Sequence, residues 1–178
     1  MLDNKLVLET DNWGVAYGDK VILAGVHLQI TTQSITVLMG PVGGGKSTLI
    51  RSLAGVNDDN PRFRQWGEVR YAGAPLSHTH APRMVRQHTR LRQASVQESL
   101  TEFRRFDGGQ TSQERTAWAR NFLERMGFPE LTNSLPIPAI ELTTVQQRAI
   151  AILREVAAEP ALLMVDEPTA ELGDYDSY

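Results

Sequence analysis

A glycine-rich stretch that ends in a lysine and two hydroxyl residues has the side chains needed to hold phosphate. Its four glycines let successive backbone N–H groups turn inward, and the lysine adds a mobile positive charge for the outer phosphates. The serine hydroxyl is a ligand that Mg²⁺ accepts. A glycine-rich turn without a ligand is the alternative, but Lys-Ser-Thr at this offset favours phosphate. The stretch fits G-x-x-x-x-G-K-[ST] and consists of Gly40, Pro41, Val42, Gly43, Gly44, Gly45, Lys46, Ser47 and Thr48.

Two carboxylates follow an apolar run near the other end of the chain. Residues 161–165 are apolar without alternation, which is typical of a strand buried on both faces, and Asp166 and Glu167 come next. Open α/β sheets bind ligands at this end of their strands. We expect Asp166 to hold Mg²⁺, directly or through water, and Glu167 to orient and deprotonate an attacking water. A strand followed by a polar turn is the alternative, and the glycine-rich stretch upstream favours the catalytic interpretation.

The elements around the glycine-rich stretch must position it between a strand and a helix. Residues 35–39 predict the strand, and residues 46–54 predict the helix, whose N-terminus adds a partial positive charge at the same place. Closer to the N-terminus, residues 5–17 predict two short strands separated by a turn at 10–12, and residues 21–30 predict a further strand. These segments indicate a small antiparallel sheet made of hairpins.

The segment between the glycine-rich stretch and the carboxylates predicts mostly helices over residues 89–157. Ser95 and Glu98 have the spacing of a capping box at a helix start. Thr143 or Thr144 opens a longer helix with apolar residues at helical spacing. The helices interrupt the strands and the phosphate-binding pattern, so the sequence predicts a helical subdomain inserted into an α/β core.

The composition predicts a single globular domain. The chain has 178 residues, 41% of them hydrophobic and 22% charged, which are ordinary values for a soluble protein. It has no cysteine, which excludes disulfides and thiolate metal sites. The net charge of −3 gives no general reason to expect nucleic acid. No apolar run approaches the roughly 20 residues that span a bilayer, so we expect no direct membrane insertion.

With these motifs in this order, the sequence resembles the ATP-binding cassette (ABC) ATPases, the nucleotide-binding subunits of membrane transporters. Residues 40–48 match the Walker A loop, and residues 163–167 match Walker B with its catalytic glutamate. Gln87 matches the glutamine of the Q-loop, and residues 168–172 continue into the D-loop. On pattern alone, Tyr17 beside a hairpin turn would be a packing residue. The resemblance implies instead that Tyr17 stacks on adenine.

The resemblance implies the fold, the cofactors and the partners. The fold is a P-loop NTPase with a mixed or parallel core sheet, an N-terminal antiparallel β-subdomain and an inserted α-helical subdomain. The RecA-like core and the β-subdomain together would comprise residues 1–88 and 158–178, and the helical subdomain would comprise residues 89–157. The cofactors are ATP and Mg²⁺, with Ser47 and Asp166 at the metal and Gln87 touching its site. The implied partners are a transmembrane permease and a second ATPase subunit, on the cytoplasmic face of a membrane.

The signature loop departs from the family pattern. The family has Leu-Ser-Gly-Gly-Gln, which in the family dimer binds the γ-phosphate held by the other subunit. The aligned residues here are Leu142, Thr143, Thr144, Val145 and Gln146, so both glycines are gone. Thr143 keeps a hydroxyl, but the β-branched Val145 restricts the backbone and blocks a close approach to phosphate. This departure favours an asymmetric heterodimer, in which a partner supplies the signature to this subunit's ATP.

The C-terminal end is the second place where the sequence departs from the family pattern. The family continues to a switch histidine, and no histidine follows Glu167 here. We interpret the chain as a fragment of a longer protein and expect slow or absent hydrolysis without that histidine. The leading hypothesis is an ATPase subunit that drives transport, and the alternative is an ATP-binding subunit that seldom hydrolyses. A DNA-repair or chromosome-organising relative is disfavoured, because the helical segment holds no sustained heptads.

Overall fold

The computed structural model describes residues 5–85, 93–106 and 108–167. The chain forms two compact units. The first, here called the sheet unit, comprises residues 1–84 and 160–166. The second, here called the helical unit, comprises residues 85–159 and 167–178. The domain boundaries expected from the sequence, at 88/89 and 157/158, remain a prediction.

The sheet unit contains a four-stranded antiparallel sheet in the order β2-β1-β3-β4. Its strands are β1 (Leu6–Tyr17), β2 (Lys20–Thr31), β3 (Phe63–Tyr71) and β4 (Ala74–Pro75). The antiparallel sheet expected near the N-terminus is therefore present. The strand expected at 21–30 corresponds to β2.

The turn expected at residues 10–12 is wrong, because β1 runs through it as one irregular strand. Register shifts interrupt the pairing of β1 there, and Asn12 has a φ of +45°. The buried hydroxyl of Thr10 donates to the Val26 carbonyl at 3.0 Å and accepts from the Leu28 N–H at 2.9 Å. These bonds replace ladder bonds that the irregularity removes, so the strand continues where composition favours a turn.

The strand expected at residues 35–39 is also wrong. This segment has no regular secondary structure, and Ile35, Val37 and Met39 are 94%, 73% and 86% exposed. An extended segment becomes a strand only where neighbours bond to its backbone. Among the described residues no strand pairs with this segment, so its apolar pattern leads to no ladder. The described part of the second sheet consists of β5 (Arg83–Val85) and β6 (Leu163–Val165).

The helix expected after the glycine-rich stretch is confirmed as α1 (Lys46–Leu53). Leu53 at its end is fully buried in the core of the sheet unit. That core includes residues of β1, α1 and β6, so α1 and β6 share one apolar core. Its buried residues are Val7, Leu8, Trp13, Val15, Ile30, Leu53, Tyr71 and Met164.

The helical unit contains α2 (Val96–Thr101), α3 (Ser112–Arg125) and α4 (Thr144–Val156). Two short 3₁₀ helices, Pro129–Ser134 and Ala139–Glu141, precede α4. Each of the three α-helices begins with a complete capping box, as the sequence predicts for α2. Their apolar faces share one core, whose fully buried large residues include Val96, Leu100, Leu123, Leu131 and Ile150. Within the described residues, no helix has both the length and the apolarity needed to cross a membrane.

Candidate functional site

The glycine-rich loop enters α1 through left-handed backbone. Gly40, Gly43 and Gly45 have φ values of +155°, +79° and +86°. Gly45 is the N-cap of α1 and therefore has no side chain with which to cap the helix. The positive φ favours glycine here, and an ideal Cβ on Gly45 would lie 2.9 Å from Leu23 Cδ2, so a larger residue would also displace the Leu23 side chain.

The first turn of α1 suits an anion. It contains no acidic residue, and no side chain caps its N-terminal N–H groups. Helix N-termini attract phosphate through such N–H groups and through the helix dipole. Residues 40–44 of the preceding loop are exposed. The loop and helix start thus provide the donors that a phosphate chain needs, as the sequence pattern predicts.

The side chain of Lys46 lies back over the loop. Its Nζ donates to the carbonyl oxygens of Gly40 and Pro41, each at 2.8 Å. The Gly44 N–H donates to the Pro41 carbonyl at 3.2 Å and closes the same turn. The lysine charge therefore lies at the loop itself, within the segment expected to hold phosphate.

Ser47 and Asp166, the two residues that the sequence predicts as metal ligands, are in direct contact. Ser47 Oγ donates to Asp166 Oδ1 at 3.0 Å, although the residues are 119 positions apart. The Asp166 side chain is only 5% exposed, at the end of β6. A hydroxyl oxygen beside a carboxylate is the hard-oxygen donor set that Mg²⁺ prefers. The two side chains therefore fit a magnesium ion.

Arg51 is a third member of this cluster that sequence reasoning missed. Its Nη2 lies 3.1 Å from Asp166 Oδ2, and its side chain is 40% exposed. Arg51 lies one helical turn after Ser47 on α1, and this i, i+4 spacing on the predicted helix is the signal that could have indicated it. The cluster combines a hydroxyl, a carboxylate and a guanidinium.

Tyr17 ends β1 beside the hairpin turn. Its ring centroid lies 5.6 Å from that of Phe63 on β3, with the planes tilted by 51°. Partial burial raises the pKa of the Tyr17 phenol, and the positive charge of Arg51 opposes this shift. The phenol is thus neutral at physiological pH and presents a partly exposed aromatic ring. Its assignment to adenine stacking stays a prediction.

Glu167 follows Asp166 and belongs to the helical unit. Its side chain is exposed, and its backbone has a φ of +48°. Arg148 Nη2 on α4 donates to the Glu167 carbonyl oxygen at 3.1 Å. A non-glycine residue in left-handed backbone is uncommon and is found more often at functional sites than elsewhere. Gln87, the other residue predicted to be catalytic, lies outside the described residues.

The signature segment forms the start of α4. Thr143 is the N-cap, and its Oγ accepts from the Gln146 N–H at 3.3 Å. Gln146 Oε1 accepts in turn from the Thr143 N–H at 3.1 Å. The Thr143 oxygen therefore accepts one hydrogen bond in capping its own helix. Val145 is 40% exposed within the first turn.

Comparison with known proteins gives consistent results. The family described as ABC transporter matches residues 23–170. The phosphate import ATP-binding protein PstB 1 of Streptococcus thermophilus is 30% identical over 179 residues, covering 96% of this chain and 67% of that protein. The phosphate import ATP-binding protein PstB of Pyrobaculum aerophilum is 32% identical over 167 residues, covering 89% of this chain and 67% of that protein.

Solved structures of the same fold are also similar. The structure of cbiO1 from Clostridium perfringens, part of the ABC transporter complex cbiONQ, superposes with a TM-score of 0.74 at 23% identity, covering 97% of this chain and 69% of that one. A nucleotide-free ATP-binding cassette from an ABC transporter gives a TM-score of 0.68 at 21% identity, covering 96% and 72%. At these identities the structural matches establish the fold.

Proposed function

This chain belongs to the ABC transporter family as an ATP-binding subunit, and from that premise we propose that it binds MgATP at residues 40–48 and couples ATP hydrolysis to transport by a membrane permease. The observation that carries the proposal is the Ser47–Asp166 hydrogen bond of 3.0 Å beside the start of α1. It joins the two predicted metal ligands beside the N-terminus of α1, which no side chain caps and which can therefore attract phosphate.

Different residues of the sheet unit bind the phosphates, the adenine and the metal of MgATP. Loop N–H groups and the α1 N-terminus hold the phosphates, with Lys46 on the outer ones. Tyr17 stacks on adenine, where base stacking contributes about 1–3 kcal/mol. Ser47 supplies a hydroxyl oxygen and Asp166 a carboxylate for Mg²⁺. The metal would neutralise charge that develops on the phosphates.

Glu167 is the proposed catalytic base. Its carboxylate orients the attacking water and accepts its proton, and Gln87 touches the same site in the family pattern. Asp166 follows the last residue of β6, and Glu167 is the next residue, with a positive φ. The two neighbouring carboxylates thus take different roles, one at the metal and one at the water.

The test compares ATP hydrolysis by the wild type and by Glu167→Gln. Loss of a general base should lower the rate by about 10²–10⁴-fold while MgATP binding persists. Glu130→Gln is the matched control, because Glu130 is exposed in a 3₁₀ helix of the same unit. Equal rates for the wild type and Glu167→Gln would refute the catalytic role.

A second candidate function is supported by the start of α4. We propose as the alternative that this subunit binds ATP within an asymmetric heterodimer but rarely hydrolyses it. Val145 stands where the family has glycine, and its β-branched side chain restricts the backbone at the helix start. ATP-dependent dimerisation without phosphate release would favour this alternative. Phosphate release from both sites of a homodimer would exclude it.

The partners and location are also proposals. We propose that the permease is a separate transmembrane chain and that this subunit lies on the cytoplasmic face of the membrane. The Streptococcus and Pyrobaculum relatives are named for phosphate import, so phosphate is the first solute to test. Co-purification of the chain with a candidate permease would test the partner, and phosphate uptake into vesicles would then test the solute. Uptake that does not depend on ATP would count against the proposed coupling.

A further inference from the structure

One buried carboxylate in the sheet unit has both oxygens engaged by neighbours on the same helix. Ser47 Oγ donates to Asp166 Oδ1 at 3.0 Å, and Arg51 Nη2 donates to Asp166 Oδ2 at 3.1 Å. The Asp166 side chain is 5% exposed, whereas that of Arg51 is 40% exposed. Ser47 and Arg51 are four residues apart, so one face of α1 presents both donors to the carboxylate.

The two donors differ in what they leave available to a metal. A hydroxyl has one proton to donate and two lone pairs, so Ser47 can bond to Asp166 and still offer oxygen to a cation. A guanidinium has no lone pair to offer and is always charged. Arg51 therefore lowers the negative charge that a divalent cation would find at Asp166. Ser47 assists metal binding, and Arg51 opposes it.

We propose that Arg51 is a positioning residue that holds the Asp166 carboxylate and competes with a divalent cation for its charge. It thereby sets how strongly ATP binding depends on the metal. This inference rests on the proposed function, because it concerns the metal that accompanies ATP. Arg51, which lies outside the glycine-rich stretch, would then influence the metal dependence of ATP binding at that stretch.

Removing the Arg51 charge has two effects that act in the same direction. The buried carboxylate would lose the Arg51 charge and would repel the phosphates of metal-free ATP more strongly. The same carboxylate would attract a divalent cation more strongly. The ratio of the ATP dissociation constant in EDTA to that in MgCl₂ should therefore rise. We expect a rise of about tenfold to a hundredfold, the range of a lost charge-assisted hydrogen bond.

The experiment measures both dissociation constants by isothermal titration calorimetry with the whole chain. Arg51→Met removes the charge and keeps an apolar stem, and Arg51→Gln removes the charge and keeps a hydrogen-bond donor. Both should raise the ratio, whereas Arg51→Lys should leave it close to the wild-type value. Arg70→Met is the matched control, because Arg70 is an exposed arginine on β3. A purely structural role for Arg51 would weaken binding equally with and without the metal.

The outcomes separate this inference from the proposed function. A wild type that binds no ATP in either buffer refutes the proposed function. A wild type that binds MgATP, together with Arg51→Met and Arg51→Gln ratios equal to that of Arg70→Met, overturns the role of Arg51 alone. In an Asp166→Asn background, Arg51→Met should no longer raise the ratio. A rise that persists there would also overturn the role, because the two residues would then act independently.

Discussion

Replacing Gly45 by alanine tests the conformation of the glycine-rich loop. Gly45 has a φ of +86°, and an added Cβ would lie 2.9 Å from Leu23 Cδ2. Left-handed backbone costs an L-residue about 1–2 kcal/mol. Moving the half-buried Leu23 side chain off its rotamer adds about 0.5–1.5 kcal/mol. We therefore expect Gly45→Ala to lower the free energy of unfolding by about 1.5–3.5 kcal/mol, the sum of these two costs.

Gly43→Ala is the matched control for the contact with Leu23. Gly43 also has a positive φ, +79°, but no atom lies within 4 Å of its ideal Cβ. This variant should lose only the backbone contribution of about 1–2 kcal/mol. In a Leu23→Ala background, the cost of Gly45→Ala should fall toward that of Gly43→Ala, which a double-mutant cycle would detect.

Urea unfolding followed by tryptophan fluorescence measures these differences, because Trp13 is buried in the same unit. MgATP binding by calorimetry then reports whether the altered loop still holds phosphate. A Gly45→Ala protein as stable as the wild type would refute the left-handed conformation at residue 45. Equal costs for Gly43→Ala and Gly45→Ala would refute the contact with Leu23.

Three further predictions concern the core, the helix caps and the base-stacking residue. Leu53→Ala should cost about 2–5 kcal/mol in urea unfolding because Leu53 is fully buried, whereas Val37→Ala should cost less than about 0.5 kcal/mol; similar costs would mean that residues 35–39 are buried after all. Hydrogen bonds from the Thr111 N–H and hydroxyl lower the pKa of Glu114 from its ordinary 4.5. The ionised Glu114 carboxylate therefore stabilises the fold above that value, and this stabilisation is lost as the pH falls through the lowered pKa. Thermal unfolding of Glu114→Gln should depend less on pH in this acidic range, and identical pH profiles for the variant and the wild type would contradict the hydrogen bonds between Thr111 and Glu114. Tyr17→Ala should weaken MgATP binding by about 1–3 kcal/mol while Tyr17→Phe binds normally; an unchanged affinity in calorimetry would remove Tyr17 from the adenine site.

Local features of the fold could be predicted from the sequence because all their partners lie within a few residues. The capping box at Ser95 and Glu98 forms as its spacing predicts, with Ser95 N–H donating to Glu98 Oε2 at 2.8 Å. The start of α1 after the glycine-rich loop could be predicted for the same reason. A strand depends on distant segments that bond to its edges, and residues 35–39 have no such partner among the described residues. The apolar pattern of residues 35–39 was therefore insufficient to predict whether they form a strand.

In the candidate site, too, local features could be predicted from the sequence, whereas contacts between distant residues could not. The loop glycines adopt the left-handed backbone that the pattern implies, because glycine alone takes such conformations without strain. The approach of Arg51 to Asp166 joins residues 115 positions apart, and the helical spacing of Ser47 and Arg51 indicates only that both lie on one face of α1. Thr143 was expected to keep a hydroxyl for phosphate, and its oxygen also caps α4, which its spacing from Gln146 could have indicated. Residue types indicated what the site contains, and the fold determined which side chains pair.

The two carbonyl contacts of Lys46 have a consequence for the rate of association. Its ammonium already donates to Gly40 and Pro41 at 2.8 Å, so an arriving phosphate must exchange with these bonds. The gain in affinity is then the difference between two sets of hydrogen bonds, which is smaller than a direct contact suggests. Because the ammonium must first leave the loop, we expect association to be slower than diffusion allows. The ammonium keeps its full charge at the loop, so we expect the association rate to fall as salt is added, as it does for other electrostatically steered ligands.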